Sequence, residues 1–127
     1  VATWNELGLD SRRAAQELLE QNRIRSSVSR SYYSAYCAIT SRLAKQGVDF
    51  AYGGNNPPHA DLPGYILHNL PALPQDTRYV LARAIRRLWK VRVDADYVPT
   101  ASLSRVIAVD ALRDANRILL ELERYDE

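Results

Sequence analysis

The chain has one cysteine, Cys37, two histidines and two lysines, and it contains no apolar run long enough to cross a bilayer. A single cysteine excludes an internal disulfide and fits a reducing cytoplasm. Cys37 falls in the middle of a helical pattern with no nearby histidine to activate it, so it reads as a small buried hydrophobe. No basic-then-apolar leader opens the sequence. The first residue is Val1 rather than methionine, which leaves an upstream segment open. Zinc chemistry is excluded by the lack of a Cys and His cluster. There is no Gly-x-Ser-x-Gly elbow. Gly53-Gly54 does not sit between a strand and a helix, as a phosphate-binding glycine loop would. The carboxylates decorate helix surfaces without visible pairing for acid–base work. No metal or cofactor is expected, and no membrane.

What is present is helical. A length of 127 residues predicts one domain spanning 1–127. Such a chain buries roughly two thirds of its unfolded surface, enough for an independent core. The apolar fraction of 46% is ordinary for a globular protein, and the net charge is only +2. The basic residues are 15 arginines against 2 lysines. Arginine suits planar, bidentate contact with phosphate and carboxylate, but its excess also follows high-GC coding.

Helix one is predicted from Thr3, where Thr3-x-x-Glu6 has the form of a capping box, to about Gln21-Asn22. Leu7, Ala14, Ala15, Leu18 and Leu19 give its apolar stripe, and Gly8 leaves open a restart capped by Asp10. Helix two is predicted from Ser26 to Gln46 with Gly47 as its stop. A breaker-rich segment, Val48 to Ala60, contains Gly53-Gly54-Asn55-Asn56-Pro57-Pro58-His59 and reads as a long loop. A short helix three follows, with Asp61 as cap, Pro63 in its first turn and Leu62, Ile66, Leu67 and Leu70 on its apolar side. Helix four is predicted over Gln75 to Ala95. Its stripe is Leu81, Ile85, Leu88, Arg92 and Ala95, so Arg92 stands where an apolar residue is expected. Arg78, Arg83, Arg86, Arg87 and Lys90 give it a basic outer side. Asp96 to Thr100 reads as the turn out. Helix five is predicted from Ser102 to Tyr125, with Val106, Val109, Leu112, Ala115, Leu119 and Leu122 as its core face. Ile107, Ala111 and Ile118 widen that face, which suggests burial against a second subunit. The expected fold is an all-α, antiparallel up-and-down bundle of four long helices and one short helix.

At about 100° per residue, Val28, Tyr32, Ala35, Tyr36, Ile39 and Leu43 share one face of helix two, while Arg30, Tyr33 and Cys37 follow a neighbouring stripe. Aromatic residues at this spacing are ordinarily core. Arg92 has an ion pair with Asp96, one turn away, as its purely structural role. Tyr97 has a bundle-end plug as its own. His59 and His68 read as surface or cap residues.

Two stretches resemble a known family. Arg30-Ser31-Tyr32-Tyr33-Ser34-Ala35-Tyr36 is similar to the Arg-x-Tyr-Tyr-Ala-x-Phe signature in the second helix of HEPN domains (higher eukaryotes and prokaryotes nucleotide-binding). Leu88 to Tyr97 is similar to the Leu-x3-Arg-x2-Ala-Asp-Tyr of the small stand-alone prokaryotic branch. The resemblance runs from about Ser11 to Leu122. It implies a homodimer, and in nuclease members a metal-independent RNase centre made where two protomers meet. There an Arg, followed by four to six residues and a His, holds phosphate, and the His moves a proton. Here Arg92 matches the Arg, but Tyr97 stands after four intervening residues where the His belongs. A tyrosine with its ordinary pKa of about 10 is a poor base near pH 7. The branch often carries a His in the loop region, which His59 matches. The resemblance therefore assigns Arg92, Tyr97 and His59 as catalytic candidates, and Arg30, Tyr33 and Asp96 as RNA- or nucleotide-binding candidates. The expected function is RNA or nucleotide binding with catalysis weak or lost, in a toxin–antitoxin or defence setting. The alternatives are an active metal-independent endoribonuclease, and a non-catalytic interaction bundle that partners a nucleotidyltransferase-like protein.

Overall fold

The computed structural model describes residues 2–50, 54 and 56–126. Within the breaker-rich segment, Gly53 and Asn55 lie outside the described residues. The described residues form five α-helices: α1 (Trp4–Glu20), α2 (Ile24–Lys45), the short α3 (Leu62–Asn69), α4 (Gln75–Tyr97) and α5 (Arg105–Arg124). A 3-10 turn, His59–Asp61, leads into α3. The described residues contain no strand.

Thr3 caps α1 as its sequence predicts, its hydroxyl accepting from the Glu6 N–H. The helix does not restart at Asp10. Gly8 stays helical, and a Cβ there would meet the Ser34 carbonyl oxygen at 3.2 Å and the Ala38 nitrogen at 3.3 Å. Its glycine is thus a packing residue where α1 crosses α2. The buried stripe is Gly8, Ser11, Ala15 and Leu19, and Leu7 faces solvent. Gly47 ends α2 at a φ of +74°, the left-handed stop expected of it. Asp61 does not cap α3 with its side chain. As the last residue of the 3-10 turn it already has helical backbone angles, so its carboxylate does not reach back over the first turn.

The predicted face of α2 is buried throughout: Val28, Tyr32, Ala35, Tyr36, Ile39 and Leu43. This helix touches each of the other four and is the post around which they stand. Burying each large aliphatic side chain stabilises the fold by about 1.5–3 kcal/mol. On α5 the core face is rotated from expectation, to Ala108, Ala111, Ala115, Ile118 and Leu122. Val106 and Leu120 are exposed, while Val109, Leu112 and Leu119 are half-buried. Small alanines permit the close approach of α5 to its neighbours, and this selects them over the larger residues beside them.

Arginines from other helices close the helix C-termini. Arg25, in the first turn of α2, donates to the carbonyls of Asp94, Ala95, Val98, Pro99 and Ala101 at 2.7–3.2 Å. Arg42 donates to the carbonyls of Leu122 and Tyr125 at the end of α5. Arg105 reaches Leu19 O at the end of α1 (2.8 Å), and Arg78 reaches Leu67 O in α3 (2.9 Å). Each supplies a cation where orphan carbonyls and the helix dipole favour one. These links also fix the directions. The start of α2 meets the end of α4, the start of α5 meets the end of α1, and α2 and α5 end together. The long helices therefore run alternately up and down.

Candidate functional site

Helix α4 runs two residues further than predicted, so Asp96 and Tyr97 are helical rather than part of the turn out. The Val98 N–H still bonds Asp94 O at 3.2 Å, and Pro99 bars further helix by keeping Val98 out of helical backbone, at φ −118° and ψ 89°. This extension keeps Asp96 in helical register, one turn beyond Arg92. Arg92 Nε donates to Asp96 Oδ2 at 2.9 Å, so the ion pair open to the sequence is present.

That pair accounts for only part of the arginine. Arg92 is 8% exposed and packed among tyrosines. Its Nη2 donates to the Tyr33 hydroxyl at 2.6 Å. Its guanidinium carbon lies 5.1 Å from the Tyr33 ring centre, 5.3 Å from that of Tyr97 and 5.6 Å from that of Tyr32, within cation–π range of all three. Nη1 makes no hydrogen bond among the described residues. The guanidinium is therefore oriented by two hydrogen bonds and three rings, with one edge left over.

Arg30 joins the same ring from α2, its guanidinium 5.3 Å from the centre of Tyr33. It forms no hydrogen bond or ion pair among the described residues. Ser29 donates to Asp96 Oδ2 at 3.1 Å, a second restraint on that carboxylate. Beyond them opens a cleft of about 430 Å³ lined by Arg23, Arg25, Ser26, Ser29, Arg30 and Asp96, with Leu18 and Ala95 as its apolar part. Arg25 is committed to carbonyls there, whereas Arg23 and Arg30 are not.

His59 arrives from the 3-10 turn. Its Nδ1 is 2.6 Å from the Tyr32 hydroxyl, and its ring lies 4.7 Å from Tyr36 and 6.2 Å from Tyr33. Burial, and next the nearby Arg92 charge, hold its pKa below the ordinary 6.5, so the imidazole is neutral at pH 7. Burial pushes the Tyr32 phenol well up and raises that of Tyr36, so both stay protonated. Tyr36 is fixed by Asn56, whose amide donates to its hydroxyl at 2.7 Å. Nε2 of His59 has no partner among the described residues.

The structure thus brings Arg30, Tyr33, His59, Arg92, Asp96 and Tyr97 into one cluster at the meeting of α2, the end of α4 and the 3-10 turn. Tyr97 is 66% exposed, a lip over Arg92 rather than a buried plug. His68 has no part in the cluster. Four further residues hold the cluster and are not among the candidates read from the sequence: Ser29, Asn56, and Tyr32 and Tyr36 of the family signature. Tyr32 and Tyr36 read as core, and they are core, but their hydroxyls point at His59 and at the chain leading to it. Burial raises the Cys37 pKa as well, in keeping with its reading as an inert buried residue. The described residues contain no group of His, Cys, Asp or Glu arranged to hold a metal.

Fold and site together define an all-α bundle with a cationic, aromatic-walled site at one end. The chain belongs to the HEPN domain family, whose model matches residues 1–125. Comparison with curated proteins and with solved structures gave no match. No helix among the described residues is long and apolar enough to cross a membrane.

Proposed function

We propose that this HEPN domain, of the small stand-alone prokaryotic kind, binds RNA or a nucleotide as a homodimer, with hydrolysis weak or lost. The observation that carries this is the charge around Tyr33. Two guanidiniums, of Arg30 and Arg92, lie against one ring, and the one carboxylate beside them, that of Asp96, is hydrogen-bonded to Arg92 alone. Two like charges so placed, in a partly dry site, favour an anion between them. Tyr33 and Tyr97 add hydroxyls and a stacking face. The position that a catalytic histidine would take after Arg92 is Tyr97, which supports binding over turnover.

A second reading has its own support. His59 is neutral, held through Nδ1 and open at Nε2, as a general base would be. It would make the domain a working metal-independent RNase. In either case the setting is a cytoplasmic toxin–antitoxin or defence pair with a nucleotidyltransferase-like partner protein. The exposed Val106 and Leu120 of α5 support a self-associating surface.

Fluorescence anisotropy with a labelled single-stranded RNA at low salt tests the first reading. Binding should weaken at least tenfold in Arg30→Ala and in Arg92→Ala, with the Arg30→Ala melting temperature nearly unchanged. Loss of folding in Arg30→Ala would show a structural arginine instead. Sedimentation at micromolar concentration should give about twice the 14.4 kDa chain mass, and a monomer throughout would remove the dimer.

A further inference from the structure

The outward face of α4 carries three cations that the fold does not use. Arg83, Arg86 and Lys90 are exposed and make no hydrogen bond or ion pair among the described residues. This sets them apart from Arg25, Arg42, Arg78, Arg87, Arg92 and Arg105, each of which is committed to a carbonyl, a carboxylate or a phenol. At about 100° per residue the three lie within some 60° of one another, on one side of the helix. The same side begins at Tyr79 and ends at Tyr97, 49% and 66% exposed. Trp89, 36% exposed, flanks it. From Tyr79 to Tyr97 the stripe is about 27 Å long at 1.5 Å per residue. Its far end is the ring that lies against Arg92.

An ordinary solvated helix face mixes signs and seldom shows large aromatic rings. Apart from the half-buried Asp94 at its edge, one turn beyond Lys90, this stripe reads aromatic, three cations, aromatic, and it leads into the candidate site. Alternation of cations with exposed rings suits a polymer whose backbone is anionic and whose bases stack on any ring. A single nucleotide has no use for a stripe of this length. An acidic protein segment would answer the charges but not the rings.

We propose that this face of α4 is a track for single-stranded nucleic acid that delivers one phosphate to Arg92 and Arg30, with Tyr79, Trp89 and Tyr97 as base-stacking platforms. The track rests on the RNA-binding reading above and adds to it that the ligand is a strand of several nucleotides.

The test uses the full chain with Arg83, Arg86 and Lys90 replaced together by Gln, and separately with Tyr79→Ser. All four sites are exposed, and circular dichroism confirms that each variant is folded. Binding of single-stranded RNA of roughly 4 and roughly 12 nucleotides is measured across a salt series. The natural chain should prefer the longer strand. The triple variant should lose that preference while keeping the short-strand affinity, and its salt slope should flatten by about 2, near 0.7 for each lost phosphate contact. Tyr79→Ser should weaken only the longer strand, by several-fold or more. Unchanged length preference in the triple variant, with Arg92→Ala still harmful, would overturn the track and leave the site reading standing. Absence of any binding by the natural chain would remove both. Equal affinity for polyglutamate of matched charge would show attraction to charge alone and overturn the track as well. A parallel DNA strand distinguishes the sugars: tighter binding of RNA assigns it as the ligand, and equal binding assigns single strands of either kind.

Discussion

Arg92 Nη2 donates a 2.6 Å hydrogen bond to the hydroxyl of Tyr33, from the end of α4 to the middle of α2. The same phenol ring lies under the Arg30 guanidinium. Tyr33 thereby links the two charges on which the site depends, and it orients Arg92 where Asp96 alone would leave it free to swing about Nε. A fixed guanidinium presents its remaining N–H groups to an oxyanion at little entropic cost.

Removing that hydroxyl gives the first prediction. Tyr33→Phe keeps the ring under both arginines and deletes one hydrogen bond to a charged group. The domain should lose about 1–2 kcal/mol of stability. RNA affinity should fall several-fold, because Arg92 is no longer held in one orientation. Chemical denaturation and anisotropy measure the two effects. A stability loss with unchanged affinity would make the bond purely structural.

Tyr97 is the second. Tyr97→His restores an Arg followed by four residues and a His, on a helix that now demonstrably continues through that position. Metal-independent cleavage of RNA should rise roughly hundredfold, the low end of what a placed acid–base group contributes. Arg92→Ala should abolish the gain. Brisk cleavage by the natural chain that disappears in Tyr97→Phe would instead make the phenol the catalytic group, and the inactive reading would fall.

His59 supplies a pH dependence whose sign is fixed. Burial and the Arg92 charge lower its pKa below 6.5, so between the lowered value and 6.5 the unfolded chain binds more protons than the folded one. Stability therefore falls as pH drops from 7 through that window. The melting temperature should decline between about pH 7 and pH 5, ahead of the carboxylates. His59→Phe keeps a ring beside Tyr36 and should flatten that decline. An identical decline in the variant would assign it to other groups. If His59 is instead the base of an active RNase, cleavage would vanish in the same variant.

Arg25 carries the largest structural prediction. Its guanidinium bonds five carbonyls around the end of α4. Arg25→Ala should cost about 2–3 kcal/mol, from the lost charged hydrogen bonds and the uncapped helix dipole. At about 4 °C per kcal/mol this lowers the melting temperature by roughly 8–12 °C. Because the carbonyls belong to the turn that holds Asp96 and Tyr97, RNA binding should weaken as well. Arg25→Lys should recover little, since a single ammonium cannot span five acceptors. Full recovery by lysine would show that charge alone suffices.

The sequence by itself determined the helices and most of their buried faces. The stripe through Leu81, Ile85, Leu88, Arg92 and Ala95 is a property of helical period, and so is the aromatic face of α2. Gly47 and Thr3 mark helix ends through local backbone chemistry that a few residues suffice to specify. Arg92 was legible as a site residue for the same reason, being a charge on an apolar stripe. Only the tertiary structure decided which arginines serve the fold. Arg25, Arg42, Arg78 and Arg105 bond main-chain carbonyls of distant helices, and a carbonyl has no residue identity for a pattern to reveal. The core face of α5 was set by how closely it approaches its neighbours, which favoured alanines over the larger Val106 and Leu119. The meeting of His59 with Tyr32, and of Tyr33 with Arg92, joins residues 27 and 59 positions apart. Periodicity reports which face of a helix is apolar but not which other helix stands against it, so a site assembled from α2, α4 and a turn exists only once the bundle has closed.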